Sequence, residues 1–568
     1  MRASGRIDWR ESAPLLAVLA IAAPLIFADL GGPWLWEDEG DTAAFAHNIV
    51  ATGVPTAWDG RNFLDSDFGF RETPRFLGHD LVMVGTPWLP FYATAASFAL
   101  FGESNATARL PFALASFASV ALLYLFVLRA TGDARAALAA SLLLLASAQF
   151  LLYAREARSY GFNLFFTVLL LWGFLRLGEK RRDPWLAIAA VLLFHTQILP
   201  AAIALGACGG LALFHPRFRS RLVPLLWRAP WVIAGTLPWM FATWGAVQTN
   251  WKPLESWLEL PGRVAQVGAE TMVAVPWLGW LIAIPLLWRR FSARDRDLLA
   301  IAAAFLLLLF ALLPLALPRP RLLVLGLRYV CALLPVAAAV TGLVVARASG
   351  GRSLAYTALL LLFGATHLAG NTLPWLALGE SRHVAGGLAF VNVPRDGVDK
   401  FANTTWWYFV RGLGVPNPGT LAELVDFLEK SAGPDDVVVT NFAWDNLYFY
   451  TRRPQGFRIS PQAPIAGAAR ALGLPAYAFG LEGADWVIWR HGPDPLPGHP
   501  FEKVRSELEA RGAKLERVAT FRETIWENRP ELHWHRFARV GYPFAPRRLG
   551  PAGRRHPDAI AYRVAWPR

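Results

Sequence analysis

The sequence is short of charge and almost free of cysteine. Only 17% of its 568 residues are Asp, Glu, Lys or Arg, against roughly 25% in an ordinary soluble domain. With 55% hydrophobic residues alongside, that shortage argues against a simple soluble enzyme. The two cysteines, Cys208 and Cys331, both lie inside apolar runs, which excludes a disulfide framework and a cysteine-based zinc site. The chain also lacks a phosphate-cradling glycine loop of the G-x-x-x-x-G-K-[ST] kind, so no nucleotide site is read from it. Its formal charge of +13 is shared by both parts of the chain and is too modest to imply nucleic acid as a partner.

What the sequence has in quantity is apolar runs. A membrane-crossing helix needs about 20 mostly apolar residues, and such runs fall near 13–30, 110–128, 136–152, 161–177, 185–198, 199–214, 229–247, 272–288, 298–317, 330–346 and 353–374. The stretch 185–214 is divided because His195-Thr196-Gln197 and Pro200 interrupt a length too great for one span. The first run follows Arg2, Arg6 and Arg10 and shows no convincing small-residue cleavage site, so it reads as a retained anchor. The aromatic segment 87–101 is decided by its neighbours. Basic residues favour the cytoplasmic side, and the basic groups at 2–10, 129–135, 180–182, 217–228, 289–296 and 347–352 share one side only if 87–101 lies flat in the interface. The reading is a mainly α, polytopic membrane protein of about 11 transmembrane helices in the plasma (inner) membrane. Its N-terminus is cytoplasmic. Residues 1–379 form the membrane domain, with a long first outer loop at 31–109, and 380–568 form an extracytoplasmic α/β domain.

The outer face is where charge departs from expectation. Loop 31–109 holds ten carboxylates against four arginines, and four of the ten crowd into Glu37-Asp38-Glu39-Gly40-Asp41. Crowded carboxylates repel unless a cation, a proton or a substrate hydroxyl sits among them; the plain alternative is an acidic helix start. Tyr153-Ala154-Arg155-Glu156-Ala157-Arg158-Ser159-Tyr160 and Arg328-Tyr329 put arginines on the side where the positive-inside bias would not. Guanidinium matches phosphate oxygens bidentately, and a lipid phosphate sits at this depth; a salt bridge to Glu156 or to the acidic loop is the structural alternative. Outer carboxylates with outer arginines suit a reaction in which a hydroxyl or amine attacks a group carried by a lipid phosphate. A carboxylate takes the proton or holds a cation, and the arginines stabilise the departing phosphate.

These motifs resemble, in their order, the GT-C superfamily of polyprenyl-phosphate-sugar-dependent glycosyltransferases, in the branch of protein O-mannosyltransferases and aminoarabinose transferases (glycosyltransferase family 39-like). Trp36-Glu37-Asp38-Glu39-Gly40-Asp41 is similar to the family's acidic motif, with Asp38 and Glu39 on its Asp-Glu pair. Thr86-Pro87-Trp88-Leu89-Pro90 resembles the start of its interfacial helix, followed by Ala108-Arg109-Leu110-Pro111; the 153–160 motif and Arg328-Tyr329 resemble later ones. Some relatives carry charged or histidine residues before that interfacial helix, where this chain has Gly85-Thr86. The resemblance implies an inverting transferase with a polyprenyl-phosphate sugar as donor and a protein, lipid or glycan as acceptor. It implies Asp38 and Glu39 as catalytic residues and Arg155, Arg158 and Arg328 as ligands of the lipid phosphate. Glu39, Glu72, His79 and Asp80 are the candidates for a divalent metal, should one be used.

After about residue 380 the pattern changes. Thr420-Leu421-Ala422-Glu423 is a capping box opening a helix to about Ala432. Strands are expected at 437–440, 486–489 and 532–537 and a second helix at 501–511, while the Arg-, Pro- and Gly-rich 545–568 reads as a poorly packed extension. Two rivals from other classes stand beside the enzyme. One is a lipid-linked saccharide transporter or flippase, which would place charge on broken helices near the midplane. The other is a non-catalytic scaffold on the same fold.

Overall fold

The computed structural model describes residues 9–62, 64, 76–77, 81–178, 183–250, 256–275, 277, 283–316, 323–366, 406, 409–410, 413, 419–441, 444–456, 473–490, 501–521 and 559–567. The chain divides by its contacts into two compact units. One comprises 1–30, 110–413 and 530–543, the other 31–109, 414–529 and 544–568. This division differs from the sequence boundary at 379/380, because it groups the first outer loop with the carboxy-terminal residues.

In chain order the helices up to residue 226 are α1 (Trp9–Phe27), α2 (Glu37–Thr52), α3 (Leu89–Phe101), α4 (Asn105–Thr131), α5 (Ala134–Ala146), α6 (Ala148–Ala154), α7 (Tyr160–Arg176), α8 (Trp185–Phe194), α9 (Ile198–Phe214) and α10 (Leu222–Leu226). There follow α11 (Ala229–Asn250), α12 (Leu260–Ala274), α13 (Ala283–Leu287), α14 (Ala293–Ala316), α15 (Leu334–Ala348) and α16 (Ser353–Ala365). Among the described residues three helices are long and apolar enough to cross a membrane: Asn105–Thr131, Ala293–Ala316 and Arg328–Ala348. Two further apolar pairs are bent. The run expected at 136–152 is α5 and α6, which meet at 73°. The bend has a local cause: Ser147 leaves the helical conformation, and its hydroxyl accepts from the Phe150 N–H to start α6. Helix α9 turns through 117° into Arg219–Leu226. The interruption at 195–197 separates α8 from α9, and in the run expected at 272–288 the described residues form the end of α12 and, after 276 and 278–282, which lie outside the described residues, α13.

Small residues let these helices approach. A Cβ added to Gly342 on α15 would lie 2.5 Å from the Ala140 nitrogen and 2.7 Å from the Ala136 oxygen of α5, so the two backbones touch where only glycine fits, as lipid-embedded packing favours. Near the ends of the same helices Arg347 joins Asp295 through two 2.8 Å hydrogen bonds and also pairs with Asp133.

In the second unit α3 packs on α2, with the Phe45 and Phe91 rings 5.1 Å apart. At 13 residues α3 is about 20 Å long, short of the roughly 30 Å hydrocarbon core, and Leu100 and Phe101 at its end are exposed. Strands β1 (Phe76–Leu77) and β2 (Val82–Met83) pair antiparallel. The later residues add α17 (Gly419–Ser431), β3 (Val437–Thr440), α18 (Trp444–Thr451), β4 (Gln455–Gly456), β5 (Ala484–Arg490), α19 (Phe501–Ala510), β6 (Lys514–Phe521) and β7 (Ala559–Ala565). The sheet order is β4-β3-β5-β7-β6, with β3 parallel to β4 and β5, and β7 antiparallel to β5 and β6. Alternate side chains serve opposite faces. Trp486 and Ile488 meet Leu421, Leu424 and Leu428 of α17, whereas Val487 and Trp489 meet Val504 and Leu508 of α19.

One expectation is corrected here. Part of the supposedly loose tail 545–568 is β7, an interior strand whose Ala559, Ala561 and Val564 are buried. Its alternation is spelled in alanines, which carry little strand signal, next to a segment rich in arginine and proline. Strand β6 and helix α18 were not anticipated, and the strand expected at 532–537 lies outside the described residues.

Candidate active site

In the second unit the acidic motif opens α2, placing Asp38 and Glu39 in the first turn, where backbone N–H groups and the helix dipole favour negative charge. Glu39 is wholly buried and Arg109, at the start of α4, is 1% exposed. Arg109 Nε donates to Glu39 Oε1 at 2.8 Å and its Nη2 to Oε2 at 2.6 Å. The same guanidinium donates to the carbonyls of Pro33 (2.6 Å) and Trp34 (3.1 Å). Glu39 Oε2 also accepts from the Trp36 N–H, 3.2 Å away. Glu39 is thereby the fixed point of the chain entering α2. Asp38, the adjoining residue, is half-buried, and its carbonyl accepts from Thr42 Oγ1 at 3.2 Å.

Helix α18 grips the same segment from another side. The Leu35 N–H donates to the Tyr450 hydroxyl (2.9 Å), and Asn446 Nδ2 donates to the Leu35 carbonyl (2.7 Å). The Tyr450 hydroxyl in turn donates to Asn105 Oδ1 at 2.6 Å, and its ring lies 4.2 Å from that of Trp34. Burial pushes the Tyr450 phenol above its ordinary value. Gly40 explains the glycine in the acidic motif: a Cβ there would fall 2.5 Å from Asn446 Nδ2. Nearby, Tyr448 donates to Asp59 Oδ2 at 2.7 Å, and Glu103 accepts from His47 and from Arg452, each at 2.6 Å.

The candidate arginines belong to the other unit. Arg155 is buried and donates to backbone carbonyls, from Nη1 to Leu25 (3.3 Å) and Ile26 (3.2 Å) and from Nη2 to Asp29 (3.1 Å). It thus closes the carboxy-terminal end of α1, where a cation is favoured, and its guanidinium lies 5.7 Å from the Phe409 ring. Arg158 is half-buried in the turn before α7, beside the wholly buried Glu156. Tyr153 and Tyr160 flank this turn with ring centres 4.6 Å apart. Arg328 is half-buried, its guanidinium 5.3 Å from the Tyr329 ring. The structure therefore joins Asp38 and Glu39 on one helix and Arg155 and Arg158 in one turn. Among the described residues no three His, Cys, Asp or Glu side chains gather as metal ligands. Glu72, His79 and Asp80 lie outside the described residues, and both oxygens of Glu39 are engaged by Arg109.

Two participants were missed by sequence reading, Arg109 and α18. Arg109 had a signal, since it is an arginine at the outer end of a span, the criterion that picked out Arg155, Arg158 and Arg328. Helix α18, eight residues long, had none.

This architecture is that of an integral membrane protein with the GT-C fold. The model of the dolichyl-phosphate-mannose-protein mannosyltransferase family matches residues 85–244. Among solved structures the chain resembles ArnT from Cupriavidus metallidurans bound to undecaprenyl phosphate, with TM-score 0.55 and 14% identity over 97% of this chain and 98% of that one. The apo form of the same protein gives TM-score 0.56 and 15% identity at the same coverage. No curated protein is significantly similar in sequence.

Proposed function

We propose that the chain is an inverting glycosyltransferase that moves a sugar from a polyprenyl phosphate to an acceptor on the extracytoplasmic face of the inner membrane. The observation that carries this reading is the locked acidic motif. Glu39 is held by two hydrogen bonds from the Arg109 guanidinium, and its neighbour Asp38 is a half-buried carboxylate in the same first turn. Such preorganisation is what a group that must meet a reacting hydroxyl at fixed distance requires. The likeness in fold to a protein bound to undecaprenyl phosphate supports the donor class.

In this reading an acceptor oxygen or nitrogen attacks the anomeric carbon, its proton passes to Asp38, and the bond between the anomeric carbon and the phosphate oxygen breaks with inversion. The polyprenyl phosphate departs as an anion stabilised by Arg158 and Arg328. Glu39 positions Asp38 through Arg109, and Arg155 maintains the end of α1. Eleven spans with a cytoplasmic N-terminus keep the basic loops inside. The carboxy-terminal α/β part governs how acceptors approach; truncation at about residue 380 with full activity on the natural acceptor would contradict that role.

The test is transfer of label from a radiolabelled undecaprenyl-phosphate sugar into envelope material by membranes holding the full chain or Asp38→Asn at equal level. Transfer is expected to collapse in the variant. Undiminished transfer removes the mechanism, and movement of label across vesicles without a glycosylated product assigns the chain to transport.

A further inference from the structure

A groove of about 1130 Å³ lies in the first unit between α8, α10 and α11 and includes none of the candidate site residues. Its walls are mainly apolar, with Val191, Val223, Trp227 and Trp231 among them, and two arginines, Arg219 and Arg228, line it as well. Trp227 and Trp231 are each 73% exposed, an arrangement that water penalises and a membrane interface rewards. Arg228 is fixed in the wall, donating to the Asp183 carbonyl from Nε (3.2 Å) and Nη2 (3.0 Å) and to the Pro224 carbonyl from Nη1 (2.8 Å). Arg219 is exposed.

The groove has a charged end and a closed end. Its arginines belong to the basic cluster 217–228, which the positive-inside bias assigns to the cytoplasmic side. Its other extreme is set by Gly235, where a Cβ would lie 2.8 Å from Val191 Cγ2; α8 and α11 meet there, and His195 Nε2 contacts the Gly235 carbonyl at 2.8 Å. From Pro184 to Leu192, both lining the groove, α8 rises about 12 Å, close to the ~15 Å depth of one leaflet.

We propose that this groove binds an anionic glycerophospholipid of the cytoplasmic leaflet, its phosphate on Arg219 and Arg228 and one acyl chain along the tryptophan-lined wall. Basic pockets between membrane helices on this side select such headgroups. The closure at Gly235 matches an acyl chain of leaflet depth and stops a longer polyprenyl chain.

The experiment is native mass spectrometry of the full chain offered phosphatidylglycerol or phosphatidylcholine with identical acyl chains. Phosphatidylglycerol is expected to be retained in preference, and Arg219→Gln, at an exposed site that leaves the fold intact, is expected to weaken that retention about fivefold. Trp231→Ala is expected to weaken both lipids alike. Equal retention of the two lipids, or unchanged retention in Arg219→Gln, overturns the proposal. Displacement of phosphatidylglycerol by undecaprenyl phosphate overturns it too, by giving the groove to a polyprenyl chain.

Discussion

Arg109 holds Glu39 by two parallel hydrogen bonds, of 2.8 and 2.6 Å, where neither side chain is more than 1% exposed. A buried pair of this kind adds little by existing but is costly to break, because the surviving charge is left without its partner. Glu39→Ala or Arg109→Ala is expected to destabilise the protein by about 3–5 kcal/mol. The double variant carrying both alanines should lose less than the sum of the two, because neither charge is left behind. Thermal unfolding of the four detergent-solubilised proteins measures it, and additive losses would show that the pair is not coupled.

Gly40→Ala tests the contact between the acidic motif and α18. The new methyl meets Asn446, whose amide holds the Leu35 carbonyl, and overpacking of this sort costs roughly 1–3 kcal/mol. Shortening the obstacle with Asn446→Ala in the same chain should relieve the clash while losing the hydrogen bond. A melting temperature unchanged by Gly40→Ala would contradict the packing.

Arg155 and Arg158, three residues apart, are expected to behave differently. Arg155→Ala uncovers the carbonyls closing α1 and should lower stability by on the order of 2 kcal/mol. Arg158→Ala should leave the melting temperature near that of the parent and reduce turnover of the polyprenyl-phosphate sugar about a hundredfold. Measuring melting and transfer on both variants separates the roles; a stable but inactive Arg155→Ala would reverse them.

Acid should loosen the second unit through Glu103. Burial opposes its ionisation, but hydrogen bonds and charge from His47 and Arg452 outweigh burial and hold the carboxyl below its ordinary value of 4.5. A carboxylate with a folded pKa below the unfolded one contributes above the unfolded value and loses that contribution as pH falls through the folded one. The melting temperature should therefore decline between about pH 5 and about pH 3, by an amount kept small because the pair is a third exposed. Glu103→Gln should flatten that part of the profile, and an identical acid slope in the variant would assign it to other groups.

Much of this was legible in the sequence where physics is local. The apolar runs mark helices because a backbone in lipid satisfies its hydrogen bonds within its own segment, and α4, α14 and α15 follow from runs at 110–128, 298–317 and 330–346. Asp38 and Glu39 stood out because repelling carboxylates in a row ask for a reason. Their separate environments did not, since Glu39 meets Arg109 seventy residues away and only the fold decides which of two adjacent acids turns inward. The bend at Ser147 rests on one hydroxyl capping one N–H within an otherwise continuous apolar run. Strand β7 depends on neighbours supplied by β5 and β6, and its alanines bury by virtue of the sheet around them.

The backbone of Leu35 is satisfied by Tyr450 and Asn446, partners 415 and 411 residues further along. At a synthesis rate of about 5–20 residues per second, Leu35 leaves the ribosome on the order of 20–80 s before either partner exists. During that interval the membrane helices between them are being inserted, while Arg109, only seventy residues from Glu39, can already close its lock. The acidic motif thus acquires its shape in two instalments, one early and short-range, one late and dependent on the return of the chain. Nascent chains halted before residue 444 should carry the first without the second, and protease would meet the segment before α2 open in them and closed in the complete chain.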